Sequence, residues 1–178
     1  AHDGDPHSGI AAWTRMRGEH LESKHLQRVP REDGSGLVEL AVAAEELGAD
    51  GAYFRVHHFA RQLASPFPLL AAVGARTSRI EIGTAVIDMR YENPLYMVED
   101  AGAADLVAGV RLQLGISRGS PEQVIDGFRY FGYQPAEGSD HAEMAREHTR
   151  VFIEVLTGDG FAQPNPRPMF PNPPGLLR

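Results

Sequence analysis

The sequence contains no cysteine among its 178 residues. This absence excludes a disulfide framework, a cysteine nucleophile and a thiolate metal site, and it fits a reducing compartment. No apolar run reaches the roughly 18 residues of a membrane-spanning helix, and the polar start of the chain lacks both regions of a signal peptide. We therefore expect a cytoplasmic protein with no membrane partner and no metal site.

Positive charge is also scarce, because 17 Lys and Arg stand against 24 Asp and Glu and leave a net charge of −7. A general nucleic-acid binder is normally basic, so we expect no nucleic-acid partner. Two nucleotide-binding motifs are missing as well: no G-x-G-x-x-G follows a predicted strand, and no G-x-x-x-x-G-K-[ST] occurs. The hydrophobic fraction of 42% is ordinary for a globular domain with a sizeable core.

The length predicts one domain and is too short for a complete eight-unit (β/α) barrel, which typically needs about 250 residues. Composition divides the chain into three parts. We expect residues 1–36 to form a mobile or atypical N-terminal segment, with at most a short helix near 13–27 and no packed strand. Residues 37–157 form the predicted α/β domain, and residues 158–178, with six of the 13 prolines, form a predicted extended tail.

Hydrophobic periodicity within residues 37–157 predicts alternating helices and strands. The predicted helices cover 37–47, 66–76, 94–108 and 140–156, Ser120–Pro121 opens a short one, and the predicted strands cover 52–56, 79–87 and 111–117. The apolar parts of the strands begin near positions 52, 80 and 111, and these spacings of 28 and 31 residues are those of successive βα units. The pattern therefore predicts an α/β fold with parallel strands.

Two of the predicted helices, 66–76 and 94–108, are rich in Ala and Gly. Small residues allow helices to pack closely, either inside the domain or against another subunit. The residues alone leave both possibilities open.

Ligands of parallel α/β folds gather at the carboxyl ends of the strands. His57–His58, Asp88 and Ser117–Ser120 follow the three predicted strands. Histidine titrates near neutral pH, so the His pair is the acid/base candidate. At most one of the two points into a shared pocket, because neighbouring strand residues face opposite sides. The alternative is a surface His beside a capped or buried one.

The segment Arg118–Pro121 predicts an oxyanion site. Gly119 lets the backbone approach a ligand closely, Ser120 can cap a helix whose N–H groups attract negative charge, and Arg118 can hold an oxyanion bidentately. Together they would bind a phosphate. The alternative is an ordinary Ser cap beside a solvent-facing Arg.

An ordered set of short motifs resembles the bacterial luciferase-like flavin-dependent monooxygenases from about Leu37 to Gly132. The matching segments are Glu45–Asp50, His57–Phe59, Ser65–Pro66, Ala75–Ile80, Ile82–Val86, Asn93–Leu95, Glu99–Asp100, Asp105–Leu106, Arg111–Leu112 and Leu114–Gly119. No one motif is decisive, but their order and spacing are specific.

The resemblance implies a (β/α) barrel that binds FMN or, in one branch, a deazaflavin. It implies that His57 is the catalytic residue that handles a proton near the flavin and substrate, and that Ala85–Val86 is a bulged, often cis segment behind the flavin ring. Ser117 is implied to lie beside the ring, and Arg118 with the Ser120 backbone to bind the flavin phosphate. The implied reaction is an alkanal-type monooxygenation with O2, in which a separate reductase supplies reduced FMN.

Several positions depart from the family pattern. Many members have Glu where Val56 stands and Gly where Val110 stands, and residues 1–36 contain nothing that reads as the first barrel strand. We therefore expect a partial barrel of three to four βα units whose open edges favour a homodimer or other oligomer. The alternatives are a non-catalytic or truncated remnant that binds flavin or a partner, and a deazaflavin-dependent oxidoreductase. The substrate cannot be read from the sequence.

Overall fold

The computed structural model describes residues 13–16, 19–20, 35–59, 64–119 and 124–158. Its elements in chain order are β1 (Trp13–Met16), β2 (Glu19–His20), α1 (Ser35–Glu46), β3 (Gly51–Phe54), α2 (Phe67–Arg76), β4 (Glu81–Asp88), α3 (Pro94–Ala108), β5 (Leu112–Ser117), a 3₁₀ helix (Gly127–Phe131) and α4 (His141–Thr157). The predicted helix opening at Ser120–Pro121 and nearly all of the predicted Pro-rich tail lie outside the described residues.

The strands form one sheet in the order β2-β1-β3-β4-β5. β3 pairs with β4 in parallel, from Gly51 opposite Glu81 to Phe54 opposite Thr84. With β5 these strands make a parallel three-stranded sheet accompanied by helices, so the predicted α/β class with part of a barrel is confirmed.

Residues 1–36, where the sequence made no packed strand evident, contain the strands β1 and β2. β1 pairs antiparallel with both β2 and β3, and Trp13 lies opposite Tyr53. A helix over 13–27 is therefore excluded at Trp13–Met16. The strand was missed because four residues carry almost no periodicity, its neighbour β2 has only two residues, and its other partner β3 lies far away along the chain.

The chain divides into two compact units, residues 1–87 with 102–116 and residues 88–101 with 117–178. In the first unit α1 packs against α2 and β3. Its buried residues include Ala41, Ala44, Leu70 and Val73. A Cβ atom at Gly74 of α2 would lie 2.7 Å from both Cα and Cβ of Ala108. At this position the small residues serve packing inside the unit.

The start of β4 lies two residues later than predicted, and the reason is local. The carboxylate of Glu45 accepts the backbone N–H groups of Ser78, Arg79 and Ile80. These residues therefore form a hydrogen-bonded turn onto the end of α1, and the strand begins at Glu81.

The second unit has its own small core of Tyr91, Phe128 and Met144, with Tyr133 packed against it. Two helix caps define its helices. Asn93 accepts the N–H groups of Leu95 and Tyr96 at the start of α3, as predicted. Asp140 accepts the N–H of Glu143 at the start of α4, where the sequence predicted the helix to begin. Within the described residues, we find no helix both long and apolar enough to span a bilayer.

Candidate functional site

In the first unit, the predicted catalytic residue His57 follows β3 by three positions. Two residues later, Phe59 has a φ of 60° and is exposed. His57 and His58 are both half-buried, and both contact other groups. Both histidines therefore keep partial access to solvent.

The Ala85–Val86 segment lies in the middle of β4. The peptide bond between these two residues is cis, as the resemblance implies. Val86 exposes 41% of its surface, although Thr84 and Ile87 in the same strand are buried. An apolar side chain is thus presented to solvent from the interior of a strand.

β5 approaches this segment closely at Gly115. The Thr84 hydroxyl donates a 2.9 Å hydrogen bond to the Gly115 carbonyl, and a Cβ at Gly115 would lie 3.0 Å from Cγ1 of Val86 and collide with the Thr84 carbonyl. A side chain at position 115 would displace Val86. Sequence reasoning did not assign Gly115 a role, although a glycine inside a strand is itself a sign of close backbone approach.

In the second unit, the candidate Asp88 is engaged by a buried arginine. Arg90 is 4% exposed, and its Nε and Nη2 contact the Asp88 carboxylate at 3.0 Å and 2.6 Å. The backbone N–H of Arg90 donates to the same carboxylate at 3.0 Å. Asp88 therefore forms an ion pair with Arg90. Sequence reasoning missed Arg90, whose signal is an Asp-x-Arg spacing at the end of a strand.

The predicted phosphate-binding segment begins where β5 ends. The Ser117 carbonyl accepts the Met89 N–H at 3.1 Å, and Gly119 has a φ of +112°. Arg118 between them is exposed. Within residues 64–119 and 124–158, no carboxylate pairs with Arg118. Ser120, the other predicted phosphate contact, lies outside the described residues.

A third polar group in the second unit was not foreseen. The Nδ1 atom of His148 on α4 lies 2.8 Å from the Met89 carbonyl, and the Tyr133 ring meets the His148 ring edge-on at 5.0 Å. Burial raises the pKa of Tyr133, although a hydrogen bond with Asn93 acts in the opposite direction. The Met89 backbone is thus held both by Ser117 and by His148.

No metal centre competes with these groups in the described part of the chain. There, we find no cluster of three His, Asp or Glu side chains that could hold a metal ion. The donor set at the end of β5, an exposed guanidinium beside a positive-φ glycine, suits an anion such as a phosphate ester.

Comparison with known proteins gives one consistent family. The model of the luciferase-like monooxygenases matches residues 8–174. The 4-hydroxyprotoasukamycin monooxygenase of Streptomyces nodosus subsp. asukaensis is 30% identical over 124 residues, which are 68% of this chain and 32% of that protein. The F420-dependent glucose-6-phosphate dehydrogenase of Gordonia bronchialis is 34% identical over 139 residues, 73% of this chain and 38% of that protein.

A solved structure shares the fold. The oxygenating constituent of 3,6-diketocamphane monooxygenase from Pseudomonas putida, solved in complex with FMN, matches with a TM-score of 0.63 at 20% identity. The match covers 78% of this chain and 38% of that one. The chain therefore spans well under half the length of these three proteins.

Proposed function

The chain belongs to the luciferase-like monooxygenase family, and we propose that it forms part of an alkanal-type monooxygenase that uses reduced FMN and O2. The cofactor proposal rests on the position and exposure of Arg118. It lies directly after a parallel strand, beside a positive-φ glycine, exposed and without a carboxylate partner among the described residues. A phosphate monoester is an anion that such a guanidinium can bind bidentately.

Each predicted residue has a role in this proposal. Arg118 binds the flavin phosphate, with the backbone at Ser120, and Ser117 lies beside the ring. Ala85 and Val86 support the ring through the apolar surface that β4 exposes.

When bound, reduced flavin supplies two electrons to O2, so that one oxygen atom enters the substrate and the other leaves as water. The protein excludes bulk water from this chemistry and supplies His57, whose imidazole accepts or donates a proton at neutral pH.

A second cofactor is favoured by one comparison. The Gordonia bronchialis relative at 34% identity is an F420-dependent dehydrogenase. A deazaflavin in the same site would make the chain a hydride-transferring oxidoreductase. The two proposals share the anion contact at Arg118 and differ in whether O2 takes part.

Parallel titrations of the purified chain with FMN and with F420, read by flavin fluorescence, test the cofactor. We expect FMN to bind and the Arg118→Ala variant to lose most of that affinity. The Arg129→Ala variant serves as a control, because Arg129 is also exposed in the second unit but is paired with Asp126. If Arg118→Ala and Arg129→Ala bind FMN equally well, Arg118 is not the phosphate ligand.

Oxygen chemistry is tested with reduced FMN and O2 in the presence of a long-chain aldehyde. We expect aldehyde oxidation that falls by a factor of ~10²–10⁴ in the His57→Ala variant, while FMN affinity is retained. Tight binding of F420 with no aldehyde oxidation would favour the deazaflavin proposal, and binding of neither cofactor would contradict both.

We further propose that a separate reductase supplies reduced FMN and that the chain works as a homodimer or other oligomer. Support for association comes from exposed apolar residues on α3, among them Leu106 at 81% and Val107 at 53%. Light scattering coupled to size-exclusion chromatography should give a mass above that of one chain. A monomer that binds and turns over flavin would contradict this proposal.

A further inference from the structure

Two arginines of the second unit have opposite surroundings. Arg90 is buried and bonded to Asp88 through two guanidinium nitrogens, whereas Arg118 is exposed. Because Asp88 cancels the charge of Arg90, the pair contributes little net attraction for an anion. Arg90 is therefore placed to support structure near the strand end, and Arg118 is placed to meet a ligand.

The guanidinium plane of Arg90 is fixed on several sides. Asp88 holds one edge, and the carboxylate also accepts the backbone N–H of Arg90. The rings of Tyr91 and Phe128 lie 5.8 Å and 6.0 Å from Cζ, which is within the range of cation–π attraction. These contacts restrict the guanidinium group of Arg90 to one orientation.

Gly119 lies directly against the Arg90 guanidinium. A Cβ atom at position 119 would lie 2.6 Å from Nη2 of Arg90 and closer still to Nε and Cζ. With its φ of +112°, Gly119 has a conformation that other residues rarely adopt. The other end of the turn is held by the Met89 N–H, which donates to the Ser117 carbonyl. The turn that carries Arg118 thus meets Met89 at one end and Arg90 at the other.

We propose that Arg90 is a positioning residue whose guanidinium holds Gly119 so that Arg118 is presented to the flavin phosphate. This inference rests on the proposed function, because it needs a phosphate ligand at Arg118. Arg90 itself does not contact the ligand and acts through the turn.

The test uses Arg90→Lys, which keeps the charge but loses the planar fork that matches Asp88. Its matched control is Arg129→Lys, because Arg129 lies 5.9 Å from the same Phe128 ring. FMN and riboflavin are titrated in parallel, since riboflavin lacks the phosphate. We expect Arg90→Lys to weaken FMN binding roughly tenfold, about the loss of one charge-assisted hydrogen bond, and to leave riboflavin binding unchanged. The control should bind both as the unmodified protein does.

A double-mutant cycle separates positioning from direct contact. If Arg90 acts through Arg118, adding Arg90→Lys to Arg118→Ala causes no further loss of FMN affinity. Additive losses would overturn the proposal, and so would equal losses for FMN and riboflavin. Gly119→Ala provides a second route that perturbs the turn itself, because its Cβ meets the Arg90 guanidinium and its φ disfavours a side chain, and it should show the same phosphate-dependent loss even if Arg90→Lys fails to fold.

The two levels of failure can be told apart. Loss of FMN affinity in Arg118→Ala but not in Arg90→Lys or Gly119→Ala would overturn the positioning role alone. An unmodified protein that binds FMN no better than riboflavin would overturn the phosphate site and the positioning role together.

Discussion

The carboxylate of Glu45 accepts the backbone N–H of Ile80, with 2.7 Å between Oε2 and the amide nitrogen. The same carboxylate accepts the N–H groups of Ser78 and Arg79 at 2.9 Å and 2.7 Å. One side chain at the end of α1 thus satisfies three successive donors before β4. Burial by itself would raise the pKa of Glu45, but these hydrogen bonds outweigh it and hold the pKa at about 2.

Glu45→Gln should therefore destabilise the fold in a pH-dependent way. Because the folded pKa is depressed from 4.5 to about 2, the stabilisation is complete above the unfolded value and is lost as pH falls from 4.5 towards 2. At pH 7 we expect a loss of roughly 1–3 kcal/mol, the range for hydrogen bonds to a charged group. Urea unfolding between pH 3 and pH 7 measures it, with the exposed neighbour Glu46→Gln as control. If the variant and the parent give parallel curves, Glu45 does not have this role.

Gly74 and Gly102 form a matched pair for testing helix packing. A Cβ at Gly74 would lie 2.7 Å from Ala108, whereas a Cβ at Gly102 would meet nothing within 4 Å. Gly74→Ala should lower the free energy of unfolding by about 1–3 kcal/mol through overpacking. Gly102→Ala should raise it by roughly 0.5–1 kcal/mol through helix propensity. Thermal unfolding of both variants measures these two effects. Changes in stability of the same sign would contradict close packing of Gly74 against Ala108.

Val110 is a β-branched residue with a φ of 63°, and it is 79% exposed. The left-handed region costs such a residue roughly 1–2 kcal/mol, and an exposed side chain gains little packing in return. Val110→Gly should therefore stabilise the protein, by about 1 kcal/mol after the greater entropy of the unfolded chain is subtracted. Val107→Gly, at an exposed position inside α3, should instead destabilise it. A lower melting temperature for Val110→Gly would show that contacts of the Val110 side chain outweigh the cost of its backbone conformation.

The features that the sequence predicted correctly are those set by local interactions. α3 was predicted to its last residue because Asn93 provides a cap beside a proline and Gly109 follows the helix. The parallel sheet followed from the spacing of the strands, which is a property of βα units rather than of any one residue. By contrast β1 was missed, because its ladder partner Tyr53 lies 40 positions away from Trp13.

The candidate site shows the same division. Motifs marked Arg118 and Ala85–Val86 as candidates, and the cis bond that the resemblance implies between Ala85 and Val86 is present. Arg90 was not marked, because the Asp-x-Arg spacing at the strand end was not used as a signal, and the closeness of Arg90 to Gly119 follows only from the fold. Asp88 was a candidate because of its place at a strand end. Its ion pair with Arg90 is visible only in the structure.

Arg111 donates five hydrogen bonds through its guanidinium group. Its Nε donates to the Ala108 carbonyl at 2.6 Å, and Nη1 donates to the Ile80 carbonyl at 2.7 Å and the Thr77 hydroxyl at 2.9 Å. Nη2 donates to the carbonyls of Gly74 and Thr77, both at 2.9 Å. All of these groups belong to the first unit, where the guanidinium joins the ends of α2 and α3 to the start of β4.

Arg111→Lys should therefore be strongly destabilising although it keeps the charge. An ammonium group has three donors, so at least two of these five acceptors would lose their partner, and a buried unsatisfied acceptor costs about 1–3 kcal/mol. We expect a loss of roughly 2–4 kcal/mol, measured by urea unfolding. The control is Arg76→Lys, whose arginine makes an exposed ion pair with Glu39 worth at most about 1 kcal/mol. Equal midpoints for the two variants would mean that the charge of Arg111, and not its planar fork, holds these ends together.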